Sequence, residues 1–303
     1  RYTEQAKNQA PDYEIFRVAG NMSDWFPRLV DGMGLKRLGF ESAHVTFSFY
    51  QDLTKLVAEK GLGFELVPVD GVVESLRLVK SAEELALIAK AAEIGDAAMK
   101  YIEYVLRAGM TELEAAWEIE RFMREKGSQA VPFEVIVAAG PNSALPHHKP
   151  SERKIQVGEP IVIDIGAKCS YYASDLTRTI CVGAPEDKLK TVYDIVLKAQ
   201  SEALVRIEEG MTGENADSLA REVIEKAGYG ESFGHGLGHG TGLAVHELPR
   251  LGPRSTDVLS NGMVFSIEPG IYLVGWGGVR IEDLVAMQAG RVCPISNAKK
   301  SLG

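Results

Sequence analysis

Three observations predict an α/β block of about 75 residues followed by a larger α+β domain. Strand-like and helix-like stretches alternate up to about residue 75, as in α/β units. From residue 81 onward helix, helix, strand and hairpin follow one another, and that order then recurs. Such a loose internal repeat leaves room for a site where its halves meet. Finally, a strand pair in each half carries opposed acidic residues, an arrangement that needs a shared proton or a cation.

In the first block, residues 14–18 are strand-like, 23–33 helix-like, 37–41 strand-like, 47–60 helically spaced, and 64–69 an apolar run. It holds no cluster of metal-ligand or nucleophile types, and its few acids read as solvated surface. Its expected role is to shape access to a site elsewhere. Ser81-Ala-Glu-Glu84 fits a capping box, opening a helix whose periodicity runs through Leu106 to a stop at Gly109. Thr111 with Glu114 repeats the signal for a helix ending near Gly127. After an apolar strand at 133–139 comes a loop rich in Gly, Pro, Asn and Ser that holds His147 and His148. Adjacent loop histidines are ordinarily solvent-exposed, and they gain significance only if the fold returns them to a metal. Farther on, Pro185 fits a first helical position, with periodicity through Ile207 and a stop at Gly210. Another helix covers about 215–227, and a second strand pair covers 263–273 and 278–287.

The first acidic pair lies in the hairpin at 161–182. An apolar β-branched run leads into Asp164, and a polar break at 168–170 precedes the run carrying Asp175. Folding back symmetrically between Cys169 and Ser170 sets Asp164 opposite Asp175. A divalent metal would turn that repulsion into binding energy. In the second pair, a fold-back centred on Gly275 sets Glu268 opposite Glu282. Either Glu taken alone also reads as an edge residue facing water. The Gly-rich segment 234–247 holds His235, His239 and His246, three of the chain's six histidines. That density argues against a purely structural role. Its glycines let backbone and imidazoles approach a crowded site. The spacing from His239 to His246, with glycines between, excludes a continuous His-Glu-x-x-His helix.

Composition bounds the partners. With 303 residues, 45% hydrophobic and 25% charged, the chain is an ordinary globular protein of one large domain or two. A net charge of -9 argues against nucleic acid or an anionic membrane as the main partner. No segment approaches the roughly 20 apolar residues that span a bilayer. Cys169, Cys181 and Cys293 are too few and too scattered for a disulfide framework or a zinc knuckle, so a reducing cytoplasm is expected. No signal peptide is evident; the chain opens on Arg1, not Met, and truncation at the N-terminus is expected.

The ordered set Asp164, Asp175, His239, Glu268 and Glu282 sits in the local contexts Asp-x-Gly at 164–166, Ser-Asp-x-Thr-Arg at 174–178, His-Gly-x-Gly-x-x-Val-His-Glu at 239–247 and Glu-Pro-Gly at 268–270. It resembles the pita-bread metallopeptidases, which include proline dipeptidase, aminopeptidase P and methionine aminopeptidase. The resemblance covers about residues 76–303 and, more weakly, 1–75, which look like only the second half of the family's N-terminal domain. It implies an α+β pita-bread (creatinase/aminopeptidase-like) catalytic domain preceded by a partial α/β creatinase-type N-terminal domain. Tyr171 is a departure, because many relatives have Gly before the Tyr of the second aspartate motif.

Carried over residue by residue, the resemblance implies two divalent metal ions. Asp164 would chelate one, His239 and Glu268 the other, and Asp175 and Glu282 would bridge both. Four carboxylates and one imidazole form a hard, oxygen-rich set suited to Mn or Co and tolerant of Zn. A bridging water would supply hydroxide near neutral pH. Glu268 would shuttle its proton to the leaving nitrogen, and His246 would stabilise the oxyanion. His147 matches the family's loop histidine near the scissile bond, and His235 a supporting or substrate-contacting one. Arg280, two residues before Glu282 and on the same strand face, would support the carboxylates or grip a substrate carboxylate.

The Leu-Pro-His loop at 145–147, the Arg-Ile-Glu-Asp motif at 280–283 and the extra N-terminal domain resemble the Xaa-Pro enzymes more than methionine aminopeptidase. Between dipeptidase and aminopeptidase P the sequence does not decide. Short proline-containing peptides are the expected partners, and a homodimer the expected assembly. A methionine aminopeptidase-like activity is one alternative. Another is a non-catalytic binding module on the same fold, but such proteins typically lose ligands and gain basic tails, and neither feature is present. A metal-free hydrolase using the histidines as bases leaves the four carboxylates without an electrostatic rationale.

Overall fold

The computed structural model describes residues 2–302 and divides into two compact units, one running to Val73 and the other from Glu74. In the first, α1 (Thr3–Gln9) and α2 (Met22–Val30) precede β1 (Arg37–Glu41), α3 (Phe47–Lys60) and β2 (Glu65–Val69). β1 and β2 pair in parallel, with α3 as their crossover. α3 begins where Thr46 Oγ1 accepts the Phe49 N–H at 3.3 Å and ends at Gly61, whose φ of 59° is the left-handed cap that glycine adopts freely. Phe26, Leu53, Leu56 and Phe64 form the unit's small core. Residues 14–18 are irregular instead of extended. β1 and β2 pair only with each other among the described residues, so this run has no ladder to satisfy its N–H and C=O groups and leaves them to water.

After α4 (Val72–Arg77), the second unit opens with α5 (Ala82–Val105) and α6 (Glu112–Glu125). Both begin at reciprocal caps: Ser81 N–H donates to Glu84 Oε2 at 2.7 Å and Glu84 N–H to Ser81 Oγ at 3.3 Å, and Thr111 and Glu114 repeat the exchange. β3 (Ile136–Ala139), β4 (Ile161–Ile165), the short β5 (Lys168–Cys169) and β6 (Tyr172–Ala173), and β7 (Leu176–Ile180) follow. The antiparallel sheet β3-β4-β7 packs on α5 and α6 through Ile102, Ile119, Met123, Val137 and Ile163.

The second half repeats this plan. α7 (Asp187–Arg206) and α8 (Gly213–Lys226) precede β8 (Gly238–Gly240), β9 (Glu247–Leu251), β10 (Val264–Ile267), β11 (Gly270–Leu273), β12 (Gly277–Arg280), β13 (Asp283–Gln288) and β14 (Arg291–Pro294). The sheet β14-β13-β10-β8-β9 packs on the helix pair through Val196, Ile224, Phe265 and Val285. β11 and β12 form a separate hairpin. Pro185 lies before the helix and not at its first turn: Glu186 is the extended N-cap (φ -66°, ψ 156°), so α7 starts at Asp187.

Two registers set the site. β5 and β6 close on a two-residue turn at Ser170 and Tyr171, with φ of 45° and 73°. Asp164 therefore pairs with Thr177, and the expected Asp164–Asp175 facing pair does not form. The chain turns one residue later than symmetry about Cys169 and Ser170 assumes, which displaces the partner by two and keeps both aspartates on one sheet face. Tyr171 holds its left-handed backbone without glycine's freedom, and its N–H is tied to Gln129 Oε1 at 3.1 Å. In the second half, Ile267 pairs with Asp283 and Gly270 with Arg280, the same register on both sides of an interruption. Glu268 and Glu282 occupy facing positions inside that gap, where Pro269 has no N–H to give a ladder.

Candidate metal centre

Asp164, Asp175, His239, Glu268 and Glu282 line one cavity of roughly 500 Å³, and so do His147, His235, His246 and Arg280. The first two come from the β4–β7 half and the other three ligand candidates from the β8–β13 half. The halves are stitched beside the cavity: Glu282 N–H donates to Thr177 O at 3.0 Å, and Thr179 Oγ1 donates to Arg280 O at 2.9 Å. Three of the acids sit where strands break: Asp175 between β6 and β7, Glu268 between β10 and β11, Glu282 between β12 and β13.

Asp175, His239 and Glu282 each bring a ligand atom to within 4.8 Å of the others. His239 Nε2 lies 3.3 Å from Glu268 Oε1 and 3.6 Å from Asp175 Oδ2. His239 Nδ1 is 3.1 Å from Gly240 O, an acceptor, so Nδ1 carries the ring proton and Nε2 presents a lone pair to those carboxylates. Lone pair facing carboxylate is repulsive unless a cation or a second proton lies between. Gly238 and Gly240 on either side of His239 make the approach possible, since a Cβ on either would meet a carbonyl oxygen (Ser266 O, Leu248 O) at 2.0 Å.

Asp164 stands apart from the triad, and its Oδ2 accepts from Arg280 Nη2 at 2.5 Å. Its Oδ1 and Glu282 Oε1 are buried with no hydrogen-bond partner. Burial raises the Asp175 carboxyl well above the ordinary range, with repulsion from Glu282, Asp164 and Glu268 adding to it. Glu282 is raised likewise by burial and by Glu268 and Asp164. Burial lifts Glu268 to about 7, opposed by Arg280 and reinforced by Asp164. Orphaned acceptors, an imidazole fixed in its ligating tautomer and mutually repelling acids together fit divalent cations.

His235 lines the cavity with both nitrogens engaged. Nδ1 is 2.8 Å from Gly236 O and Nε2 is 2.9 Å from Tyr272 Oη. Burial and the Arg280 charge push it down to about 4, so it is neutral. His246 lies with its ring centroid 4.1 Å from that of His239, and burial followed by His239 and His147 lowers its pKa. His147 is an exposed residue at the tip of the 140–151 loop, whereas His148, which also lines the cavity, has its Nε2 on Glu112 at 2.9 Å.

Sequence reasoning missed Thr177 and Tyr272. Thr177 Oγ1 donates to Glu282 Oε2 at 2.6 Å and accepts from Arg280 Nε at 3.1 Å. Its signal was present, because it lies two residues after Asp175 and thus on the same face of an extended chain. Tyr272 Oη accepts from Arg280 Nη1 at 3.0 Å and supports His235, and burial pushes its phenol up to about 12. No local pattern announces it, because its partners come from two other segments.

A buried centre of four carboxylates and one histidine, shared by two similar half-folds, defines a metal-dependent hydrolase site. Residues 86–289 match metallopeptidase family M24 and residues 1–79 the creatinase/prolidase N-terminal domain; the chain belongs to the M24 metallopeptidases and has their pita-bread fold. It is 44% identical over 252 residues to a Xaa-Pro dipeptidase of Pyrococcus horikoshii, covering 83% of this chain and 70% of that protein. Among solved structures, a Xaa-Pro dipeptidase from Bacillus anthracis superposes with a TM-score of 0.93 at 44% identity, covering 99% of this chain and 83% of that one. An X-Pro aminopeptidase from Thermotoga maritima gives 0.89 at 39% identity, with 99% and 84% covered. Among the described residues no helix is long and apolar enough to cross a membrane.

Proposed function

We propose that this chain is a dinuclear-metal exopeptidase hydrolysing Xaa-Pro bonds at the N-terminus of dipeptides or short peptides. The observation that carries this reading is His239 Nε2, which faces Asp175 and Glu268 in the cavity that also gathers Asp164 and Glu282. The relatives named for Xaa-Pro cleavage support the choice of bond. Asp164, Asp175, His239, Glu268 and Glu282 would hold two divalent ions, with Mn or Co favoured by the hard oxygens and Zn tolerated. Bound there, such ions supply Lewis acidity and a water acidified to near neutrality.

The chain's own residues do the rest. Glu268, which lines the cavity beside His239, is suited to take the water's proton and return it to the leaving nitrogen. His246, held neutral by burial, offers an N–H to the carbonyl oxygen as it gains charge. The nitrogen of an Xaa-Pro bond carries no hydrogen, so the ring must be recognised by shape. Phe133, Pro146, Val245 and Leu251 give the cavity apolar walls, beside His147 and His235. Arg250 also lines it, and its guanidinium makes no ion pair with another described residue. A free carboxylate one residue beyond the scissile bond suits that cation, which favours dipeptides.

Metal analysis of the purified protein and turnover of Ala-Pro, Ala-Pro-Ala and Met-Ala-Ser test the proposal. Manganese- or cobalt-dependent cleavage of Ala-Pro, with little activity on Ala-Ala, is expected. Preference for Ala-Pro-Ala would move the reading to aminopeptidase P. Preference for Met-Ala-Ser would replace the proline assignment with a methionine aminopeptidase one.

A further inference from the structure

Outside the acidic centre, one carboxylate gathers five donors. Glu112, the first residue of α6, is fully buried. Its Oε1 accepts from Ala139 N–H at 2.8 Å and Asn142 Nδ2 at 2.9 Å. Its Oε2 accepts from Ser151 N–H at 3.0 Å and Ser151 Oγ at 2.6 Å, and lies 2.9 Å from His148 Nε2. These partners bracket the segment that runs from the end of β3 at Ala139 to Ser151, which has no regular structure beyond β3 except a 3-10 turn at Gly140–Ala144.

The same segment is pinned on its other side to β12. Gly278 N–H donates to Ser143 Oγ at 2.8 Å, and Arg280 Nη1 to Pro146 O at 3.2 Å. Between the two anchors, His148 N–H closes a turn onto Leu145 O at 3.1 Å, leaving Pro146 and His147 as its central residues. The ring of His148 is committed to Glu112, so the turn is fixed by its last residue and His147 is presented at the cavity. Burial acts to raise the Glu112 carboxyl, but the bonds from Ser151, Ala139, Asn142 and His148 outweigh it and leave the group below its ordinary value. Glu112 therefore stays ionised through neutral pH, as a strong acceptor for all five donors.

We infer that Glu112 is a positioning residue for the hydrolysis: with His148 it latches the 139–151 loop from behind and sets His147 against the substrate. This rests on the place given to His147 in the proposed function. The mechanism is orientational, since misplacing a group by about an ångström costs on the order of a hundredfold in rate.

The test is a double-mutant cycle on Ala-Pro hydrolysis, with metal content, thermal melting and hydrogen exchange measured alongside. Glu112→Gln keeps the shape and loses the charge, and is expected to lower kcat/KM by about ten- to a hundredfold at unchanged metal content. Exchange is expected to quicken in 139–151 while β4 and β7 stay protected. In a His147→Ala background the same change is expected to add nothing further. Additive losses, or unchanged exchange in the loop, overturn the latch. If Glu112→Gln does not fold, His148→Ala leaves Glu112 its four other donors and carries the same expectations. The exchange measurement needs no substrate, so an enzyme that spares Ala-Pro disproves the proposed reaction while the loop result still decides the latch.

Discussion

Arg280 Nη2 meets Asp164 Oδ2 at 2.5 Å, joining β12 of the second half to β4 of the first. The same guanidinium donates to Thr177 Oγ1, Pro146 O and Tyr272 Oη, so one buried cation ties the strand before Glu282, the His147 loop and the His235 support into a single network. It also commits one Asp164 oxygen and leaves the other buried and unpartnered.

That network sets the first expectation. Lysine keeps the charge but cannot reach four acceptors lying in different directions. Arg280→Lys should lower unfolding stability by about 1–3 kcal/mol, the scale of a lost charged hydrogen bond in a buried site, measured by urea titration of the chelated protein. An unchanged midpoint and slope would show that the guanidinium's geometry is incidental.

Asp175 and Glu282 lie in the tight triad with His239, so either amide variant removes charge from the middle of the acidic set. Asp175→Asn and Glu282→Gln should lose metal and activity together, read by elemental analysis and turnover. Variants that kept two metals per chain and wild-type rates would refute this.

His246 lies beside His239, but its side chain forms no hydrogen bond or ion pair with another described residue. His246→Ala should keep its metal and lose about two orders of magnitude or more in kcat, the usual scale for one oxyanion donor. Loss of metal in this variant would make the ring a ligand.

What sequence made legible follows from how local each signal is. Capping boxes at Ser81 and Thr111 act within four residues, and both helices begin where those signals place them. The facing of Glu268 and Glu282 was legible because one turn sets the register for both ladders. The Asp164 hairpin was misjudged because Ser170 and Tyr171 adopt positive φ without a glycine to mark the turn. Interruptions of the long strands at Glu268 and Glu282 were missed as well, since an apolar run reads continuously until the sheets part. The environment of His235 depends on Tyr272 and Arg280, which only the folded chain brings together.

The acidic centre also sets a pH dependence. Asp175 and Glu282 are raised by burial and mutual repulsion, and Glu268 reaches about 7 from an ordinary 4.5. For a group raised in the fold, the stabilising contribution is complete below the unfolded value and disappears as pH climbs through the folded one. The metal-free protein should therefore lose Glu268's contribution between pH 4.5 and about 7, with Asp175 and Glu282 acting in the same direction. Metal requires them ionised, so binding releases protons and strengthens over the same interval. His235, pushed down to about 4 by burial and Arg280, acts in the opposite sense, its contribution present above 6.5 and lost as pH falls. Its nitrogens are engaged by Gly236 and Tyr272, so that loss should be common to loaded and stripped protein and cancel in their difference. The gap in melting temperature between manganese-loaded and chelated protein should be small at about pH 5 and widen as pH rises through about 7. A gap that stays flat across that range would mean the carboxylates are already ionised in the metal-free fold.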